Sequence, residues 1–216
     1  MDEVEAINLL LKYKIPAERL LVARDEDEVV KVCKKLRFPL VMKIYSPDVI
    51  HKTDVGGIVT GINNLEEARK AFLTIIRNVK RRMSNARVRG VLMQRMLKGF
   101  EVMVGCKTDP QFGRVMLFGT GGLYAEVYKD FAARVLPLTK KDVEELIKET
   151  RCYEVLSGFR GKKYDLKDLK NIIFRFQKVV EEEEIVEADL NPIIVSDKYA
   201  KVVDARMIKL KLKESD

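Results

Sequence analysis

Apolar positions recur along this chain with two periods, and the changes between them mark its elements. Ile7, Leu10, Leu11 and Ile15 share one side of a first helix that Pro16 helps to end, and Leu20 to Val22 makes a short strand. Asp25, with Glu28 three residues on, caps a second helix that runs to about Arg37 on Val29, Val30, Val32, Cys33 and Leu36. Pro39 opens a strand through Val41, Met42 and Ile44; a polar loop follows, and Gly57 to Ile62 reads as the returning partner. Asn64 caps a long helix to about Met83, with Ala68, Phe72, Ile75, Ile76 and Val79 at helical spacing. Three β-branched runs, Val88 to Met96, Val102 to Cys106 and Val115 to Phe118, predict an antiparallel meander. Ala132 to Leu138 reads as a further strand, and helices follow from Thr139 to about Thr150 and from an Asp165 cap to about Val180. Ile185 to Val195 and Ala200 to Ile208 predict two closing strands around a turn.

The fold class expected is α+β in two lobes, 16–97 and 98–216, the second completed by the N-terminal helix 1–15. Gln94 to Leu97 would form the passage between them, and a crevice between two lobes is where small-molecule sites tend to sit. With 47% hydrophobic and 34% charged residues the chain is that of a globular protein. No apolar run approaches the ~20 residues of a membrane span, and the acidic, amphipathic start is no secretory signal, so no membrane role and a cytoplasmic location are expected. Cys33, Cys106 and Cys152 are widely spaced and read as small buried hydrophobes. The formal charge of +8 gathers partly in Arg77 to Arg89, yet aromatic residues are not interleaved there, which argues against nucleic acid. Abundant Lys, Arg and Glu with three glutamines and no tryptophan fit a thermophile's protein. Glu181 to Glu184, four acids at a helix end, are expected to be solvated.

The chemistry concentrates in Leu40 to Thr60, LVMKIYSPDVIHKTDVGGIVT. Lys43 sits inside a strand and can hold one fixed cation on a phosphate. The loop beside it carries the chain's only histidine, His51, and Gly56 and Gly57 allow close backbone approach. Gly119, Gly121 and Gly122 in GTGG suit either phosphate or a tight turn, and Glu126 and Asp130 follow in EVYKD. Near the end, Asp189 and Asn191 lie two apart on one strand face, with Asp204 across a turn; such oxygens are what a magnesium ion accepts.

Taken together, MKIYSPDVIHKTDVGG, GFEVMVGCKTDPQFGRVMLFGTGG, EVYKDFAARVLPLT, EADLNPIIV and VVDAR resemble the ATP-grasp subunit of the ADP-forming acyl-CoA synthetases, relatives of succinyl-CoA synthetase, in order and over nearly the whole chain. The resemblance implies an ATP-grasp fold and the nucleotide-binding β subunit of an acetate–CoA ligase. Adenine would meet the backbone near Gln94, Arg95, Met96 and Leu97, Glu101 would lie near the ribose, Lys43 on phosphate, and Asn191, Asp204 and nearby Asp189 on Mg²⁺. An α subunit with the CoA-binding and phosphohistidine domains is implied as partner, in a heteromer such as α2β2, with ADP or ATP and phosphate as ligands. His51 would relay the phosphoryl group to ADP, its loop moving as it does so, because an imidazole with a reference pKa of ~6.5 is largely neutral and nucleophilic near pH 7. Another ATP-grasp carboxylate ligase, or a non-catalytic nucleotide-sensing subunit, are the alternatives.

Overall fold

The structure is a computed structural model that describes residues 1–122 and 129–210. The chain divides into two compact units, Arg19–Leu97 and Met1–Glu18 with Lys98–Asp216.

In the first unit, strands β1 (Leu21–Ala23), β2 (Leu40–Tyr45), β3 (Ile58–Ile62) and β4 (Gly90–Arg95) form an antiparallel sheet in the order β1-β4-β2-β3. The helices are α2 (Glu26–Cys33) and α3 (Leu65–Arg82); α1 (Glu3–Lys12) belongs to the other unit. Asp25 and Asn64 cap α2 and α3 by accepting the Glu28 and Glu67 amides, as their sequence positions require. Both helices cover one sheet face, where Leu40, Met42, Ile44, Val91 and Met93 pack with Val29, Val32, Ala68, Phe72, Ile75 and Val79. Each large side chain so buried contributes ~1.5–3 kcal/mol of transfer free energy.

In the second unit, β5 (Phe100–Asp109), β6 (Gly113–Thr120), β7 (Phe131–Val135), β8 (Ile185–Val195) and β10 (Arg206–Lys209) run in the order β10-β8-β5-β6-β7, and β9 (Ala200–Val202) pairs with the far end of β8. Helices α4 (Lys140–Lys148), α5 (Cys152–Leu156) and α6 (Leu166–Glu182) complete it. Val102, Val104, Met116, Phe118 and Leu190 of the strands and Leu146, Ile172, Ile173 and Phe176 of the helices are all fully buried. Gln177 is buried there but satisfied at both ends: its oxygen accepts the Leu138 amide at 2.7 Å and its nitrogen donates to the Leu138 carbonyl at 3.1 Å. Ala17 bridges Val202, which ties the N-terminal segment to this unit.

Three expectations are corrected. The run at Val88–Met96 is not part of a meander with the two that follow; β4 pairs with β1 and β2 in the smaller sheet, because Val91 and Met93 bury one face against α2 and α3. The last strand is broken at 203–205, facing Asn191 and Pro192, where proline has no amide to continue the ladder and β8 bulges. Glu183 is not simply solvated: it accepts the Tyr13 hydroxyl at 3.0 Å and pairs with Lys209. All three cysteines are free and buried, and burial pushes the Cys106 and Cys152 thiols up to about 11.

Candidate functional site

Lys43 lies mid-strand on β2 between Ile58 of β3 and Leu92 of β4. Strand alternation sends Met42 and Ile44 into the helix-covered core and Lys43 to the opposite face, together with Leu92 and Gln94. It is only 7% exposed, a lysine largely enclosed by protein on that face.

Gln94 pairs with Val41, one step diagonally from Lys43 on the same face. It is 3% exposed and its side-chain oxygen has no hydrogen-bond partner among the described residues. Such an orphan costs ~1–3 kcal/mol, which a ligand N–H donor would relieve. Of the backbone beyond it, the Met96 amide is already given to the Pro39 carbonyl at 2.8 Å, so that donor is not open to a base. Arg95 pairs with Leu40 on β2, and Leu97 ends the unit.

The loop between β2 and β3 exposes His51, but its flanks are fastened. Asp48 receives the Arg87 guanidinium at two oxygens, with Nη2 to Oδ1 2.7 Å and Nε to Oδ2 3.1 Å, and also accepts the Arg87 amide at 2.7 Å. The pair holds the Asp48 carboxyl down at about 2. Val49 is buried in the core of this unit. Arg82 donates to the Asp54 carbonyl, and Asn78 Nδ2 to the Gly56 carbonyl at 3.1 Å. Gly56 has φ +63°, and a Cβ on Gly57 would lie 2.7 Å from Ile44 Cγ2 and 2.9 Å from the Lys52 carbonyl. The two glycines therefore close the loop on its own sheet.

In the second unit the bulge in β8 gathers Asp189, Asn191 and Asp204. Asn191 donates its backbone amide to the Asp204 carbonyl at 3.2 Å, and Asp189 faces Arg206 in the register with β10. Asp189 reaches solvent, yet the protein around its carboxyl removes enough water to raise it from its ordinary value; Arg206 opposes that rise, and Asp204 adds to it. Among the described residues no three His, Cys, Asp or Glu side chains could hold a metal by themselves. Two carboxylates and an amide oxygen nevertheless fit magnesium, which takes one or two carboxylates and completes its octahedron with water and phosphate.

The GTGG glycines serve close approach within the sheet. A Cβ on Gly121 would lie 2.4 Å from the Val102 carbonyl, and one on Gly122 would lie 1.6 Å from Glu101 Oε2. The Gly121 amide donates to the Glu101 carbonyl at 3.0 Å, and the Gly122 amide to Asn191 Oδ1 at 2.8 Å. Gly122, at φ +69°, thus touches both the acid expected near ribose and the amide expected on magnesium.

Asp130 has a role that sequence reasoning missed. Its carboxylate accepts the Thr120 hydroxyl at 2.8 Å, the Arg151 amide at 2.8 Å and the Cys152 amide at 2.9 Å, capping α5, whose own N-cap residue makes no such bond. Its carboxyl loses solvent, which raises it, but these donors together hold it below its ordinary value. Its place in EVYKD was the available signal; Glu126 of the same stretch lies outside the described residues.

Residues 1–208 match the family model of the ATP-grasp domain. The chain is 45% identical to subunit beta of the ADP-forming acetate–CoA ligase I of Pyrococcus furiosus, covering 95% of this chain and 90% of that one. It is 41% identical to the ADP-forming acetate–CoA ligase I of Archaeoglobus fulgidus, where 94% of this chain corresponds to 30% of a longer protein. Among solved structures it superposes, with a TM-score of 0.84 and 39% identity over 97% of this chain and 92% of the other, on the acetyl-coenzyme A synthetase 1 of Ca. Korarchaeum cryptofilum. That structure was solved with coenzyme A and Mg-AMPPCP, its phosphohistidine segment pointing towards the nucleotide-binding site.

Proposed function

The chain belongs to the ATP-grasp family and, within it, to the beta subunits of the ADP-forming acetate–CoA ligases, and from that membership we propose how its residues divide the work. The reaction is acyl-CoA + ADP + phosphate to acid + CoA + ATP, in either direction. An α subunit, in a heteromer such as α2β2, binds CoA and makes the first phosphohistidine. The phosphoryl group passes to His51 as one N–P bond breaks and another forms. A terminal oxygen of ADP then takes it, with P–O formed and N–P broken, and the imidazole returns to its starting state. Lys43 holds the transferring phosphate by its fixed charge, Glu101 binds the ribose, and Gln94 accepts from the adenine amine where Met96 cannot donate. Asp189, Asn191 and Asp204 hold the magnesium ion, which when bound offsets phosphate charge.

The observation that carries this reading is the gathering of Asp189, Asn191 and Asp204 at one bulge, with the Gly122 amide on Asn191. The test is the complex with the α subunit, supplied with acetyl-CoA and labelled phosphate. Acid-labile label is expected on His51, and His51→Ala should form no ATP while the α subunit still becomes labelled. Full turnover by that variant removes the relay.

A further inference from the structure

The basic run Arg77–Arg89 holds none of the residues assigned to the nucleotide above, yet three of its side chains reach the loop that carries His51 and a fourth reaches the strand residue before it. Asn78 takes the Gly56 carbonyl, Arg82 the Asp54 carbonyl, Arg87 the Asp48 carboxylate, and Arg89 stands 5.7 Å over the ring of Tyr45, the last residue of β2. The Arg89 amide also donates to the Tyr45 carbonyl at 2.8 Å. These contacts bracket His51, at 45 and 48 on one side and at 54 and 56 on the other. Inside the bracket Val49 is buried, while Ile50 is 66% exposed and His51 is exposed.

We propose that Asn78, Arg82 and Arg87 are positioning residues that clamp loop 46–57, so that His51 is presented at a fixed place and the partner's phosphorylated segment comes to it. This rests on the relay assigned above. It replaces a moving loop with a fastened one, for a physical reason. A loop of twelve residues closed only by its two strands keeps much of its conformational entropy, and each cross-tie removes part of what must be ordered before an in-line transfer. Guanidinium groups suit the task because their planar forks fix a carboxylate at two points, as Arg87 does on Asp48, and a lysine in the same place supplies charge without orientation. The clamp explains a basic cluster with no acid inside it: the acceptors of Asn78, Arg82 and Arg87 lie 22, 28 and 39 positions earlier in the chain.

The test uses the complex of this chain with its α subunit and follows two readouts, hydrogen exchange of amides 49–57 and the single-turnover rate of label passing from the α subunit to His51. Arg87→Gln and Asn78→Ala are each expected to raise loop exchange several-fold and to slow labelling of His51 at least tenfold, with MgADP affinity unchanged. Asp48→Arg combined with Arg87→Asp is expected to recover part of both, a recovery that general destabilisation would not produce. Loop exchange at the wild-type rate in both single variants, or His51 labelled at the wild-type rate in a variant whose loop has loosened, overturns the clamp. If the wild-type complex places no label on His51, the relay falls, and the exchange measurement still decides whether the loop is held.

Discussion

Replacing Gly122 by alanine tests whether Glu101 serves the nucleotide, because the structure separates two consequences of one methyl group. At φ +69° an alanine pays the left-handed penalty of ~1–2 kcal/mol, which in a chain of this size lowers the melting temperature by about 2–8 °C. The methyl would also sit 1.6 Å from Glu101 Oε2, the far end of a flexible, exposed side chain, so the carboxylate swings away and the backbone stays. If that carboxylate accepts a ribose hydroxyl, its loss removes a charge-assisted hydrogen bond of ~1.5–3 kcal/mol, or roughly 10- to 150-fold in ADP affinity. The Gly122 amide survives the substitution, so its bond to Asn191 Oδ1 does too.

Calorimetry on a double-mutant cycle decides the matter. Glu101→Ala alone should weaken ADP to the same degree as Gly122→Ala. Adding Gly122→Ala to Glu101→Ala should lower affinity by less than about 0.5 kcal/mol while the thermal penalty persists, since strain at φ +69° does not depend on the neighbour. Wild-type ADP affinity in Gly122→Ala with the melting temperature lowered as expected would refute the ribose role. Additive losses would show that the glycine acts by another route.

Two further outcomes follow from single side chains. Gln94→Met keeps the volume and removes the orphaned oxygen, so the ligand-free chain should gain ~1–2 kcal/mol, seen as a melting temperature higher by about 2–8 °C, while adenine nucleotides bind more weakly; loss of stability without loss of affinity would place the acceptor role elsewhere. Asp130→Asn disturbs three hydrogen bonds to a carboxylate and should cost ~2–4 kcal/mol at pH 7 by urea titration. Because the Asp130 carboxyl is lowered in the folded chain, its contribution is complete above the unfolded value of ~3.9 and is lost as pH falls through the folded one, so the gap between variant and wild type should close below about pH 4; a gap independent of pH would mean that charge plays no part.

Much of the fold was legible because its signals are local. Asp25 with Glu28, Asn64 with Glu67 and Asp165 with Asp168 each place a cap within three residues of its target, and the apolar spacing after them marks the buried face. The strand at Val88–Met96 was misplaced for a reason that lies in pairing: its alternation identifies a strand, but nothing within it says that its partners are β1 and β2 rather than β5. The break before β10 was missed because it answers a bulge on the opposite strand, and strand patterns carry no mark of a neighbour's proline.

The candidate site shows the same division at finer scale. Lys43, His51 and the oxygen donors near the C-terminus announce themselves by residue type, whereas what holds them does not. Asn191 is aimed by an amide 69 positions earlier, the loop of His51 is tied by Arg87 across 39 positions, and Asp130 caps a helix starting 22 positions later. Each tie joins a common residue type to a backbone group or a single carboxylate, so neither end looks special alone. The chemistry of this chain is therefore read from residue type and local position, and the geometry that makes the chemistry directional comes from ties between distant positions, which is why Arg87 and Gly122 are sharper tests of mechanism than another substitution of His51.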